Sequence, residues 1–510
     1  MVRRRKASRQ TSRITMPPVI RLGAFHSLRM RICMDSARFD TIVQKLIAAQ
    51  DALFRCDDPM KKIQLKEEIE SLRDILILAQ LEGCPQAFLD KYHDSKQLAS
   101  KPYVLWQLDF ARVFREKGGF DIVIGNPPYG LLNKKQNQNT SIKATEYELS
   151  YYKNNPLYRP AKGGMINIFR LFICKSFDLL KKNGHTSLIF PMAFMCDLSA
   201  YALRDYVLRH NKIDYLEAFP ERDNENKRVF KSAKMSVCIL GASKTKTSGN
   251  DRFPMRISRD RFVDTLSPIT WMAREDIEII DKSSLTIPLM IPAEYEILLR
   301  MCSNSTRLGA VSKCYTGEID LSLNKKYVKL DSGFTRMLRG AQVQKFFIAD
   351  KISQGDILYL DASTYLRENT SPKSRHHLNR RIVMQGITGV NERYRLKMTI
   401  SERGIFCANS VNYLLIDDND IEFFLGLCNS RLLNWFFAKL STNSNVNGYE
   451  VDNLPIKIPT DEGKKIVTLL VHRLLENPLD TVAEEQLNKI IYDTYGLSSE
   501  QITVVESNYN

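Results

Sequence analysis

The stretch Phe120-Asp121-Ile122-Val123-Ile124-Gly125-Asn126-Pro127-Pro128-Tyr129-Gly130 decides how the first half of this 510-residue chain is read. An apolar, β-branched run stops abruptly in a proline-stiffened polar tetrapeptide. The run, Asp121 to Gly125, lacks polar alternation. That pattern predicts a central strand of a parallel sheet, buried on both faces. Pro127 and Pro128 end the strand, because each ring locks φ and removes an N–H. Asn126 and Tyr129 are thereby placed on a rigid loop at the carboxyl end of the strand, where open α/β sheets bind their ligands.

Composition bounds the rest. The length suits about two to four domains, and 44% hydrophobic with 26% charged residues is ordinary globular material. No apolar run approaches the ~18 residues of a membrane span, so no membrane partner is expected. The ten cysteines are scattered, with no C-x-x-C and no Cys/His cluster; they read as reduced thiols, and no metal site is expected. The net charge of +16 suits a polyanionic partner. Nine Lys/Arg and no acid fall within residues 1–31, which leaves +7 on the remainder. Residues 1–40 are expected to be a basic, disordered leader: a nucleic-acid-binding arm, a targeting presequence or, the reading we prefer, an artefact of a misplaced start or frameshift.

Around the central stretch the chain is predicted as follows. Asp57 to Gln80 is a packing helix with Ile63, Leu65, Ile69, Leu72, Ile75 and Leu76 on one stripe. Leu131 to Lys162 is a long polar loop, either facing a ligand and ordering on binding or a disordered insertion. Asn167 opens a helix that runs to Leu180 and is capped by Gly184. Ser187–Pro191 is the next buried strand, returning to the same sheet by a crossover. Ser199–Arg209 is a helix, and Ile213–Phe219 and Ser236–Leu240 are strands.

Asn126-Pro127-Pro128-Tyr129 in this setting resembles the catalytic motif of the adenine-N6 DNA methyltransferases of type II restriction–modification systems. The resemblance implies a Rossmann-like α/β sheet over residues 41–245, followed by an α+β target-recognition domain over 252–460 and closing helices over 461–510. It implies S-adenosylmethionine as cofactor, double-stranded DNA as partner and a bacterial, cytoplasmic setting. Asn126 and Pro127 would accept the hydrogens of the adenine amine, Pro128 would stiffen the loop, and Tyr129 would stack on a flipped base. Phe230 matches the family's aromatic before a later strand and would stack on the same base. Asn167 and Phe169 match the helix start that contributes to the cofactor pocket.

Later segments resemble the family's recognition domain: Arg336 to Lys345, Asn429-Ser430 and Asn434 within a helical region, and Asp452-Asn453-Leu454-Pro455. Arg375, Arg380, Arg381, Arg393, Arg395 and Lys397 would contact DNA, on phosphates or on base edges. The resemblance departs at one point. The family's Gly-rich cofactor loop, upstream of the Asn-Pro-Pro-Tyr loop, has no counterpart in residues 1–119. The sheet is therefore expected to be incomplete on its N-terminal side. The chain is read as such a methyltransferase in truncated or split form, acting with a separate N-terminal methyltransferase part or a restriction endonuclease. The alternative is a catalytically silent DNA-binding specificity module or remnant.

Overall fold

The computed structural model describes residues 36–82, 86–96, 104–134, 141–247, 251–352, 356–389, 392–441 and 444–509. Residues 1–35 of the basic leader, and 135–140 of the polar segment after Tyr129, lie outside them. The chain divides into two units, one of Met1–Phe253 with Ser258–Val263, the other of Pro254–Ile257 with Asp264–Asn510.

The first unit begins with helices α1 (Ser36–Arg55), α2 (Pro59–Leu81), α3 (Gln86–Lys96), α4 (Trp106–Asp109) and α5 (Ala111–Lys117). Asp58 starts α2 by accepting from Met60 N–H at 2.9 Å, and Pro59 supplies a helical φ at the first position. The buried stripe of α2 is Ile69, Leu72 and Leu76, packed with Val43, Leu46, Tyr92 and Leu108. Ile63 and Ile75 of the predicted stripe face solvent. Gly118, at φ 75°, closes α5 in the left-handed conformation and turns the chain into the sheet.

That sheet is built from β1 (Phe120–Gly125), then, after the short strands β2 (Leu131–Asn133) and β3 (Ser141–Lys143) and helices α6 (Glu146–Asn154) and α7 (Ile168–Leu179), from β4 (Leu180–Pro191). Helices α8 (Ala193–Cys196) and α9 (Tyr201–His210) lead to β5 (Lys212–Phe219) and β6 (Val237–Ser243). Spatially the order is β1-β4-β6-β5. β1 and β4 are parallel, joined through α7 in a crossover, while β6 is antiparallel to both β4 and β5. The mixed α/β architecture agrees with the helix–strand alternation read from the sequence.

Three expectations are corrected. β1 is not central: it terminates its sheet, and its side chains Ile122 and Ile124 are 67% and 78% exposed. Its composition suits two covered faces, but no described strand pairs beyond it and these two isoleucines stay largely exposed. Second, Gly184 does not cap α7. The helix ends at Leu179, and Leu180 already pairs with Phe120. The pairing then jumps to Ile122 with His185, so Lys181–Gly184 form an irregularity within β4. Glycine is needed there because a Cβ would lie 2.8 Å from the Phe120 carbonyl oxygen. Third, the polar segment is folded where it is described. Thr145 and Glu148 form a capping box for α6, and Tyr152 and Tyr158 pack edge-to-face at 5.2 Å in the interior.

The second unit holds two four-stranded sheets. One orders Cys314–Thr316, Val411–Leu414, Arg381–Gln385 and Met398–Ser401 side by side, all antiparallel. The helix Ile421–Asn429 is buried throughout, and Arg431–Leu440 is buried from Leu432 to Phe437. Their asparagines satisfy backbone that this burial would otherwise orphan. Asn434 Oδ1 accepts from the N–H groups of Arg395 and Leu396 at 2.7 and 2.9 Å, and Asn429 exchanges two bonds with Met398 at 3.1 and 2.9 Å.

Two predictions follow from these contacts. Asn434→Ala leaves two buried N–H donors without a partner, each costing about 1–3 kcal/mol; denaturant unfolding will show a lowered midpoint. At the start of β1, Lys117 and then Lys181 bind the Asp121 carboxylate and hold its pKa down at about 2. The folded value lies below the unfolded one, so this anchor is present above the ordinary carboxylate range and is lost as pH falls toward 2. A carboxylate NMR titration will place the Asp121 midpoint near 2, and Lys117→Met will raise it.

Candidate active site

The Asn126–Tyr129 loop leaves β1 where Gly125 pairs with Leu188. It is held from three sides. The Tyr129 hydroxyl lies 2.8 Å from Asn126 Oδ1 and 3.2 Å from the Ile189 carbonyl of β4, and its single proton serves one of them at a time. Gly130 accepts from Ile168 N–H at 3.0 Å, which staples the end of the loop to the first turn of α7. Pro127 is buried beneath. Asn126 itself is exposed, so a side-chain amide stands at the mouth of a rigid turn. Burial raises the Tyr129 pKa well above the ordinary phenol value, and the ring acts as a neutral donor at any physiological pH.

Phe230 arrives from the loop between β5 and β6. Arg228 shapes that loop by donating through Nε to the carbonyls of Phe230 and Lys231, each at 3.1 Å. Ser236 Oγ ties its far end to the Pro220 carbonyl at 2.7 Å. The Tyr129 and Phe230 rings meet with centroids 6.0 Å apart and planes at 66°. The structure thus brings the two expected aromatics together, edge to face. A base sandwiched between them needs about 7 Å, two layers of van der Waals contact, so one ring must turn for a base to enter.

The helix-start residues part company. Phe169 is 1% exposed and stacks on Phe190 at 5.5 Å in the core between α7 and β4. It is out of reach of a cofactor, a correction explained by its place on the buried face of α7. Asn167 occupies the N-cap position of α7 without capping it, and its buried Oδ1 has no hydrogen-bond partner. Its backbone bridges to Leu131, directly behind the Asn126–Tyr129 loop. An orphaned buried amide oxygen is costly, and this one adjoins the loop the sequence singles out.

Beside the loop is a cavity of about 230 Å³. Asn126, Pro127, Ile124, Trp106, Tyr152 and Phe172 contribute to its wall. Sequence reasoning did not assign Trp106, Tyr152 or Phe172 to the site, although Trp106 lies in the aromatic-rich stretch Lys101 to Phe114 before β1. Lys175 is the sole charged residue of the lining. The volume falls below the ~300–1,000 Å³ usual for small-molecule sites. S-adenosylmethionine carries an ammonium group, a carboxylate and a ribose, and the lining offers no carboxylate and no glycine turn for them. The described residues therefore do not fit that group by themselves.

In the second unit, four of the six basic candidates are engaged. Arg381 is fully buried, paired with Glu318, and donates to the Ile405 carbonyl at 2.6 Å. Arg395 is 1% exposed, bonds Thr388 Oγ1 at 2.9 Å and lies over the Phe437 ring. These two cannot face a polyanion from where they stand, which corrects the expectation for them: each alternates onto the inner face of its segment. Arg380 pairs with Glu422 and Glu402, and Lys397 with Glu392. Arg375 and Arg393 are exposed.

With this geometry in hand, the likeness to known proteins is specific. Residues 30–224 match the family described as Eco57I restriction-modification methylase. That stretch is similar to the restriction–modification methylases. RM.MjaORFECS2P of Methanocaldococcus jannaschii is 22% identical over 466 residues, 82% of this chain and 35% of that protein. The type II restriction enzyme and methyltransferase RM.Eco57I of Escherichia coli is 28% identical over 228 residues, 42% of this chain and 20% of its own. The type II methyltransferase M.HincII of Haemophilus influenzae is 28% identical over 195 residues, 38% of this chain and 34% of its own. The match to each spans about a third of the relative's length or less. Among solved structures, the type IIL restriction–modification enzyme MmeI in complex with DNA superposes with a TM-score of 0.48 at 10% identity, over 81% of this chain and 59% of that chain. No described helix is long and apolar enough to cross a membrane.

Tyr129→Phe keeps the ring and removes the link to Asn126 and the Ile189 carbonyl. We expect a loss of about 0.5–1.5 kcal/mol, the net value of such a bond, read as a lowered midpoint in chemical denaturation with an unchanged slope.

Proposed function

We propose that this chain is the target-base half of a site-specific DNA adenine-N6 methyltransferase of a restriction–modification system. The observation that carries the reading is the exposed Asn126 amide on a loop locked by Tyr129, Pro127 and α7, with Phe230 in contact with the Tyr129 ring. The exocyclic amine of adenine is a poor nucleophile because its lone pair is delocalised into the ring. Asn126 Oδ1 and the Pro127 carbonyl would accept its two hydrogens and favour a pyramidal, reactive nitrogen. For Oδ1 to do so, the Tyr129 hydroxyl keeps its second acceptor, the Ile189 carbonyl, and releases the first. The base would leave the duplex and stack on Tyr129 and Phe230, which offsets part of the unstacking cost. Arg375 and Arg393 remain as DNA contacts, Asn167 as a residue bordering the donor's side of the loop. The donor implied by the family is S-adenosylmethionine, and gripping it requires groups beyond those described, whether in a separate N-terminal methyltransferase part or elsewhere. A restriction endonuclease is the other partner this class suggests.

The test is transfer of labelled methyl groups to DNA by the purified chain. Asn126→Ala is expected to lower it by about 10²–10³-fold, the cost of deleting one preorganised hydrogen-bonding group at a reaction centre. Undiminished transfer by that variant would overturn the role of Asn126.

A second reading, a DNA-binding specificity module without catalysis, is favoured by one observation, the small cavity with no carboxylate in its lining. Calorimetry with S-adenosylmethionine tests it in one direction: a one-to-one isotherm excludes the silent module, whereas silence with salt-dependent DNA binding fits either that module or a methyltransferase half lacking its donor-binding part.

A further inference from the structure

Between the strands Arg252–Ile257 and Thr270–Ala273 the chain carries an aromatic ring out into solvent. Phe262 is 74% exposed, and Val263 beside it 47%. An exposed apolar residue needs no explanation by itself. This one stands on a segment whose attachment is unusually well made. Ser258, fully buried, donates through its N–H to the Ala218 carbonyl at 2.8 Å and through its hydroxyl to buried Glu217 at 2.6 Å, which fixes the start of the segment to β5. Arg261, the residue before Phe262, donates through Nη2 to the carbonyl of Asn226.

Asn226 lies on the loop that carries Phe230, and Arg228 of the same loop clamps the Phe230 and Lys231 carbonyls. A hydrogen-bonded path therefore links the ring that meets Tyr129 to the ring that meets solvent. The charge nearby is mixed, with Glu225, Asp260 and Asp264 exposed in the same two segments as the basic residues. Lys227, Lys231 and Arg259 are exposed and enter no ion pair with the described residues.

An enzyme that extrudes a base has two apolar surfaces to supply, one for the base and one for the hole it leaves. Proteins that open a base step commonly insert an apolar side chain there, flanked by basic residues. We propose that Phe262 is a wedge that enters duplex DNA and occupies the gap left by the extruded base, while Arg261 holds its segment to the loop that presents Phe230. The proposal rests on the adenine-methyltransferase reading above. It adds a positioning residue from a segment to which no role has been given.

The probes are two short duplexes of one sequence, intact and with a single central abasic site, titrated in low salt. Neither the recognition sequence nor the methyl donor is needed. The wild-type chain is expected to prefer the abasic duplex by roughly five- to hundredfold, the scale of one aromatic–base stack. Phe262→Ala is expected to lose that preference while still binding the intact duplex, and Phe262→Trp to keep it. Because the side chain is exposed, both variants should fold, which circular dichroism checks. Equal wild-type binding of the two duplexes, or an undiminished preference in Phe262→Ala, would overturn the wedge and leave the DNA-acting reading standing. Failure of the wild-type chain to bind either duplex would overturn both.

Discussion

The first unit depends on how closely two backbones approach at the base of the sheet. β1 and β4 meet there with no room for a side chain: a Cβ on Gly119 would lie 2.6 Å from the Leu179 carbonyl oxygen, and one on Gly184 2.8 Å from that of Phe120. This contact sets the pairing of the parallel strands, and the pairing sets where β1 runs out. Gly125 ends opposite Leu188, so Tyr129, four residues on, reaches the Ile189 carbonyl of the same neighbour. The position of Asn126 is thus determined some 10 Å or more away along the strand, at about 3.3 Å of rise per residue, by glycines that have no part in the chemistry.

Much of this was legible in the residues. A β-branched run ending in two prolines has few ways to fold, and the crossover through α7 and the strand ends at Pro191 and Phe219 were readable from local pattern, whereas the pairing of Tyr129 with Phe230 came only from the family resemblance. Burial was not. Ile122 and Ile124 have the composition of covered residues, and only knowledge of what stands beside a strand tells whether they are covered. Gly184 misled for a related reason. A glycine after two lysines and an asparagine looks like a helix stop, whereas here it answers a tertiary contact with Phe120, more than sixty positions back. Tyr152 and Tyr158 sit in a stretch whose polar average concealed an aromatic core.

In the second unit the error has a single physical source. Arginine was read as a surface charge, but a guanidinium becomes an interior residue when a carboxylate, a carbonyl and a ring converge on it. Around Arg381 these are Glu318, Ile405 and Tyr413. The ring is 4.4 Å from the guanidinium carbon, and Glu318 also accepts from Cys407 N–H at 3.0 Å. Such a cluster is weak as a source of stability, and here one donor of it, Arg381 Nε, is buried without a hydrogen-bond partner. Asn429 and Asn434 complete the hydrogen bonding of Met398, Arg395 and Leu396, beside a strand that ends its sheet among the described residues.

The terminal position of β1 bears on the behaviour of the protein as a solute. Its outer row of amides and carbonyls has no ladder partner among the described residues, and two isoleucines stand exposed beside it. An open, apolar strand edge is a template for any extended segment that reaches it. Lys117 and Lys181 guard its start through Asp121, but from Ile122 to Gly125 no charge interrupts it. Among the described residues β1 is therefore the edge on which another extended segment would pair, and charge added between Ile122 and Gly125 would oppose that pairing.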